Sequence, residues 1–370
     1  MPSNIQGKHD QYSAKVDGKP DSTAGTAIKT IIKHMKVFRG YRHPRLASAC
    51  ALTIGNFDGV HRGHQAMLAL LKSEAKHRGV LSCVMTFEPH PRDFFAARAS
   101  KPELAPPRIA TLRDKLGELA ACGIEQVVVL PFDARLAGQS PEAFIEEVLV
   151  HGLKAQYILV GDDFRFGAKR AGGYAMLDAA GRAQGFDVAR MNSYEVQSTR
   201  VSSSAVRQAL ATGDMNQAAS LLGRPYSISG HVVHGRKLGR DLGFRTLNMR
   251  FSHWNPAASG VFAVQVHGLT NQPLIGVANL GVRPSVDAND VNGGRVLLET
   301  YCLDWPATLG IDGGYGKIAC VELLHKLHDE LKYDSLDALK KGIANDCDDA
   351  RQFFAHMHSE TARQTTRDRI

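Results

Sequence analysis

The chain reads as two domains in series: an α/β domain built on a parallel sheet, then a small antiparallel barrel or sandwich followed by a C-terminal helix. Three observations carry this. From residue 48 to about 192, short apolar runs alternate with helical stretches, the pattern of a parallel sheet covered on both faces. After Gly223-Arg224-Pro225 the texture changes to Gly- and Val-rich runs of alternating polarity, such as Gly260–Val266 and Val296–Tyr301. From about Ser335, Leu336, Leu339, Ile343, Cys347 and Ala350 return at helical spacing, a stripe expected to pack against the barrel.

In the first domain the expected strands are Cys50–Ile54, Leu81–Phe87, Gln126–Leu130, Gln156–Val160 and Phe186–Arg190. Helices are expected near Gln65–Arg78, Leu112–Cys122, Pro141–Val150 and Tyr174–Gln184, with Ser140 as N-cap and Pro141 at the first helical position of the third. Two more fit Ser203–Thr212 and Met215–Leu222. Ligands of such a sheet gather at the carboxyl ends of its strands. Residues 1–34 are polar, without periodicity, and read as a disordered extension; Met35 looks like a second possible start. The expected division is 1–34 extension, 35–222 α/β domain, 223–357 barrel plus helix, and 358–370 polar tail.

Composition narrows the function classes. The 370 residues are 44% hydrophobic and 22% charged, an ordinary globular balance that allows two cores. No run approaches the roughly 20 apolar residues that span a bilayer, and the first 34 residues carry no apolar signal region. The six cysteines are scattered, with no C-x-x-C pair, as expected in a reducing compartment. A cytoplasmic, membrane-free protein is therefore expected. The formal charge of +8 favours anionic ligands, but the basic residues are dispersed among acids. That argues against nucleic acid, which calls for a basic stripe.

The strongest signal is Thr53-Ile54-Gly55-Asn56-Phe57-Asp58-Gly59-Val60-His61-Arg62-Gly63-His64. A strand ends at Gly55, a Gly-rich turn follows, and a helix begins around Gly63. Backbone N–H groups at a helix start favour phosphate, and Gly55, Gly59 and Gly63 allow close backbone approach. Two imidazoles three residues apart can flank one phosphate and donate to charge developing on it. A zinc pair is the other reading, but no nearby Cys/His set completes four ligands. Farther along, Ser202–Ser204 stand at another helix start, where they would serve as an N-cap, and Arg207 follows at one-turn spacing.

In the second domain Gly235, Gly239 and Gly243 recur every fourth residue with basic residues between them, which suits a loop over phosphates. Thr246 and Asn248 lie two apart, so in a strand they share a face. A hydroxyl and an amide oxygen placed so can hold Mg²⁺ and an ATP phosphate.

The first segment resembles the H-x-G-H nucleotidyltransferases, and its longer string "GNFDGVHRGH" is similar to the adenylyltransferase domain of the bifunctional riboflavin kinase/FAD synthetase family of prokaryotes. "TFEPHP" (Thr86–Pro91), "FDARLAGQSPEAFIEEVL" from Phe132, "VGDDFRFG" (Val160–Gly167) and "STRVSSSAVRQAL" from Ser198 agree, and the likeness covers roughly residues 35 to 355. It implies a Rossmann-like α/β nucleotidyltransferase domain in which the FMN phosphate attacks the α-phosphorus of ATP in line and pyrophosphate leaves. By position it assigns His61 and His64 to the α-phosphate, Asn56 and Asp58 to the shape of the nucleotide and flavin-phosphate turn, Phe57 to substrate binding, Asp163 and Arg165 to the ligand-binding end of the sheet, and Ser202, Ser203 and Arg207 to a clasp on the ATP phosphates.

The second segment resembles the riboflavin kinase loop, which usually ends Gly-Phe-Pro-Thr-Ala-Asn; here Arg245 replaces Pro and Leu247 replaces Ala. "GVANLGVRPSVD" from Gly276 fits a further family segment and brings in Asn279 and Arg283. Glu299 falls at the family's catalytic base, to take the proton of the ribityl 5′-hydroxyl. His328 stands where the family commonly has Arg. The resemblance thus implies riboflavin phosphorylation to FMN in the barrel and adenylylation of FMN to FAD in the α/β domain. ATP is co-substrate and Mg²⁺ cofactor at both sites, and no protein partner is evident. A nucleotidyltransferase with an inactive barrel is the alternative.

Overall fold

The computed structural model describes residues 35–192, 194–196, 199–234, 246–251, 255–283, 295–310 and 312–367. The expected N-terminal extension, 1–34, lies outside them, as do Gly235, Gly239, Gly243 and Arg245.

The first half is a parallel sheet with helices on both faces. Its elements run β1 (Lys36–Arg39), β2 (Cys50–Ile54), α1 (Arg62–Arg78), β3 (Leu81–Glu88), α2 (Pro91–Arg98), α3 (Leu112–Ala121), β4 (Gln126–Pro131), α4 (Ala134–Gly138) and α5 (Pro141–Ala143). From α5 the chain continues as a π-helix over Phe144–Gly152, then β5 (Ala155–Gly161), α6 (Tyr174–Gln184) and β6 (Asp187–Met191). The strand order β1-β4-β3-β2-β5-β6 is parallel throughout. Every residue of β2 is buried, as a central parallel strand requires. Alternate residues serve opposite layers. Ala51, Val84 and Val127 meet Leu68, Leu71 and Leu119 of α1 and α3, while Leu52, Cys83 and Val128 meet Phe144, Val148 and Leu149.

A short hairpin, β7 (Glu195–Val196) with β8 (Thr199–Arg200), leads to α7 (Ser203–Thr212) and α8 (Met215–Leu222). Val206, Leu210, Leu221 and Leu222 of these helices share one apolar cluster with the second half. The expected boundary at 222/223 therefore falls between segments that pack as one body.

The second half comprises β9 (Tyr226–His231), β10 (Thr246–Phe251), β11 (Gly260–His267), β12 (Leu274–Arg283), β13 (Arg295–Cys302), β14 (Ile318–His328) and α9 (Leu336–Arg367). Five antiparallel pairings give the order β10-β13-β12-β11-β14-β9. A bridge between Val233 and Asn248 brings the two edge strands together into a nearly closed barrel. Leu247, Met249, Ala278, Leu280 and Leu298 fill its interior. Across the outer face of β11 and β12, Cys347, Ala350 and Phe354 of α9 cover Val261, Ala263 and Val277. The predicted stripe packs on the barrel at Cys347 and Ala350, but its first member, Leu336, is 61% exposed. The helix runs on to Arg367, through most of the expected polar tail.

Candidate active sites

The order β2-β3-β4 grows in one direction from β2 and β5 lies on its other side, so the crevice between β2 and β5 is the switch point of the sheet. A cavity of about 670 Å³ opens there, lined by Gly55, Asn56, Phe57, His64 and Ser203 on one side and by Asp163 and Arg165 on the other. Phe87, Phe132, Phe164 and Phe166 give it aromatic walls, and Arg92, Lys169 and Arg170 add positive charge at its rim.

The turn feeding this cavity is held from within the protein. His61 is the N-cap of α1, with Nδ1 accepting from the His64 N–H at 3.3 Å. That leaves the proton of its neutral ring on Nε2, free to donate. The His64 ring stacks on it, centroids 3.7 Å apart and planes 13° from parallel. Burial pushes the His61 imidazole down to about 4. Burial, then His61 and Lys115, hold His64 well below the usual range. Both rings are therefore held neutral near pH 7, and the buried Nδ1 of His64 has no hydrogen-bond partner among the described residues.

Phe57 and Val60 take left-handed backbone, φ 48° and 40°, conformations that cost about 1–3 kcal/mol each. The glycines answer to packing. A Cβ on Gly59, at φ +84°, would lie 2.7 Å from Ile109 Cγ2, and one on Gly63 would press within 3.3 Å of the His61 ring. Of the three glycines, Gly55 is the one that lines the cavity.

Asp58 is 1% exposed. Its carboxylate accepts from the Ile109 and Ala110 N–H groups at 3.2 and 3.1 Å and from Arg207 Nη2 at 2.7 Å. Burial alone would raise this carboxyl; Arg108, Arg207 and the two backbone donors outweigh it and hold it below its ordinary value. Arg207 Nε also donates to the Pro107 carbonyl at 2.7 Å, so two of its guanidinium nitrogens are engaged by protein. Ser203 Oγ donates to the Asp58 carbonyl at 3.1 Å, and Ser202 caps α7 by accepting from Ala205 N–H. Arg224 Nη2 donates to the Gly59 carbonyl at 2.9 Å while its Nε meets Glu118 at 2.8 Å. Arg108, buried, pairs with Asp93 at 2.7 Å. Arg108, Lys115 and Arg224 went unread in the sequence because each is a single basic residue outside any motif.

The second constellation lies on the outer face of the barrel. Register places Asn248 of β10 opposite Glu299 of β13, and Glu299 opposite Asn279 of β12. The three form one row across three strands, with Thr246 two residues along the same face as Asn248. Asn248 Nδ2 donates to Thr246 Oγ1 at 3.2 Å, which leaves its buried Oδ1 without a partner among the described residues. Asn279 likewise donates to Glu330 Oε1 at 3.1 Å and keeps a buried Oδ1 that has no partner among the described residues. An orphaned amide oxygen beside a hydroxyl is a hard-oxygen donor set that fits Mg²⁺ with phosphate oxygens completing the shell. Arg283 closes the end of β12. His328, at the end of β14, pairs with Asp346 of α9 at 2.8 Å. Burial opposes its protonation, but the Asp329 carbonyl and the Asp346 carboxylate raise its pKa above the ordinary value.

Comparison with known proteins follows the same division. The FAD synthetase family model matches residues 43–205 and the riboflavin kinase model residues 222–354. The chain is 44% identical over 322 residues to the bifunctional riboflavin kinase/FMN adenylyltransferase of Escherichia coli K12, covering 86% of this chain and 98% of that one. The same-named proteins of Pseudomonas fluorescens and Haemophilus influenzae are 42% and 40% identical, covering 87% and 86% of this chain and 98% and 99% of theirs. A crystal structure titled as a macrolide-efflux protein from Streptococcus pneumoniae superposes with TM-score 0.65 at 24% identity, covering 86% of this chain and 99% of that one. At that identity the likeness speaks for the fold alone. Among the described residues no helix is long and apolar enough to cross a membrane.

Proposed function

From the family to which this chain belongs along both halves, the bifunctional riboflavin kinase/FMN adenylyltransferases, we propose which residues carry each of its two ATP-consuming reactions. The barrel phosphorylates riboflavin. Glu299 takes the proton from the ribityl 5′-hydroxyl as that oxygen attacks the γ-phosphorus and ADP leaves. Thr246 and Asn248 would hold Mg²⁺, which when bound neutralises charge on the transferring phosphoryl group. Asn279 sits beside Glu299 in the same row to orient the hydroxyl. Gly235, Gly239 and Gly243, outside the described residues, are assigned to the ATP phosphates by their likeness to the family's loop, and Arg283 stands at the end of β12.

The α/β domain adenylylates the product. An FMN phosphate oxygen forms a bond to the α-phosphorus of a second ATP, the bond to the pyrophosphate oxygen breaks, and no covalent enzyme intermediate forms. His61 and His64 donate N–H groups to the α-phosphate as negative charge builds on it. The aromatic walls take the ring systems, and Asp163 and Arg165 meet the ligand at the strand ends. Asn56 and Phe57 shape the turn. Asp58, Ser203 and Arg207 act as positioning residues beneath it, because their polar groups are already engaged with one another and with the backbone. A reducing, cytoplasmic setting belongs to the same reading, supported by six cysteines that are all free thiols.

One observation carries the adenylyltransferase assignment: two stacked, neutral imidazoles at a helix start beside a 670 Å³ cavity at the sheet switch point. His61→Ala supplied with FMN and ATP is expected to lose about 10²- to 10³-fold in FAD formation, the scale of removing a transition-state donor. Unchanged FAD formation, read by chromatography, would refute the assignment.

A further inference from the structure

Beneath the His61–His64 turn lies a cation without an assigned role. Lys115 of α3 is 0% exposed. The carboxylates that bear on it, Glu88, Asp58 and Asp93, are engaged elsewhere: Glu88 and Asp93 with Arg108, Asp58 with Arg207. Its Nζ donates to Thr86 Oγ1 at 3.4 Å, and that hydroxyl donates to the Asn56 carbonyl at 3.1 Å. Asn56 lines the cavity. A side-chain relay thus runs from a buried ammonium on α3, through β3, into the backbone of the phosphate turn.

The environment is unfavourable to a cation. Burial pushes the Lys115 ammonium down to about 8, Arg108 acts in the same direction, and Glu88, Asp58 and Asp93 oppose them. Taking such a group out of water is costly, and an apolar side chain of similar volume in place of a buried charge is often neutral or stabilising. A charge held at that cost next to a ligand cavity points to a role in the cavity. In a water-poor interior the field of a fixed charge reaches further than it would in solvent. Lys115 already depresses both His64 and His90.

We propose that Lys115 is a positioning residue for adenylyl transfer. It clamps the Thr86 hydroxyl onto the Asn56 carbonyl, and it places a fixed positive charge beneath the turn that receives the anionic phosphates. The proposal rests on the assignment of that turn to the α-phosphate.

The test compares full-length Lys115→Met with wild type and His61→Ala, assaying both reactions on each sample. Asp114, the residue before Lys115, accepts from the Ser229 N–H and hydroxyl in β9. Disturbance of α3 therefore reaches the barrel, and the kinase rate reports structural damage. In Lys115→Met, adenylylation kcat is expected to fall about tenfold to a hundredfold, the scale of a displaced catalytic turn. Riboflavin phosphorylation should stay within about twofold. The melting temperature should hold or rise, and the His64 imidazole should titrate at higher pH by NMR. A wild-type adenylylation rate in Lys115→Met would overturn the proposal, as would parallel loss of both activities and of melting temperature. Full activity in His61→Ala would sink the reading of the turn itself, whereas an inactive His61→Ala beside an active Lys115→Met removes only the role of Lys115.

Discussion

The two sites are built in opposite ways. The phosphate turn of the α/β domain is compact in sequence and interlocked in space. His61, His64 and Asp58 lie within seven residues, yet they are fixed by Arg207, Arg224 and the Ile109 and Ala110 backbone from far along the chain. The barrel site is the reverse. Its residues come from three separate strands, and strand register aligns Asn248, Glu299 and Asn279. The first site gets its precision from buried charge, the second from the sheet. Damage should therefore propagate differently: breaking the Asp58–Arg207 ion pair under the turn should lower stability together with activity, whereas the barrel can lose its base without unfolding.

The largest expected effect tests that separability. Glu299→Gln keeps size and removes the base, so riboflavin phosphorylation should fall about 10²- to 10⁴-fold. Melting temperature and adenylylation of supplied FMN should hold. A variant that unfolds, or that phosphorylates normally, breaks the contrast.

Asp58→Asn tests the other side. It leaves Arg207 without its buried partner, and breaking one half of such a pair costs about 3–5 kcal/mol. Urea unfolding should show that loss together with a drop in adenylylation. The carboxyl is held below its ordinary value, so its contribution is present above the unfolded pKa and fades as pH falls through the lower folded one. The stability difference between wild type and variant should shrink in acid; a difference independent of pH would contradict the pairing.

The smallest effect concerns His328, whose imidazole pairs with Asp346 of α9. Its folded pKa is raised, so its pairing with Asp346 contributes fully below the unfolded value and is lost as pH rises through the folded one. His328→Ala should cost about 0.5–1 kcal/mol below pH 6 and almost nothing at pH 9, read by thermal unfolding at both. Equal cost at both pH values would place the contribution in packing.

Much of this was legible in the sequence. Tyr174–Gln184, Ser203–Thr212 and Met215–Leu222 fold with the expected bounds because each ends at a glycine in left-handed backbone. β1 went unread: four residues, KVFR, bury only one apolar side chain and give no periodic signal. α2 also went unread, although Pro91 at its start is a recognisable sign; its N-cap is His90, an uncommon cap. The H-x-G-H turn could be read because its residues are adjacent. Its supports could not, because Asp58 and Arg207 meet across 149 positions and a lone lysine such as Lys115 looks like any surface charge until its burial is seen. The barrel row needed register, which alternation suggests but does not number.

The most direct test of two independent sites gives wild type, His61→Ala and Glu299→Gln riboflavin, ATP and Mg²⁺, with and without added FMN, and resolves the flavins by chromatography. Wild type should yield FMN and FAD. His61→Ala should accumulate FMN and stop there, and Glu299→Gln should form FAD only when FMN is supplied. If either variant loses both products under both conditions, or if both variants make FAD from riboflavin as wild type does, the assignment of one reaction to each site is wrong.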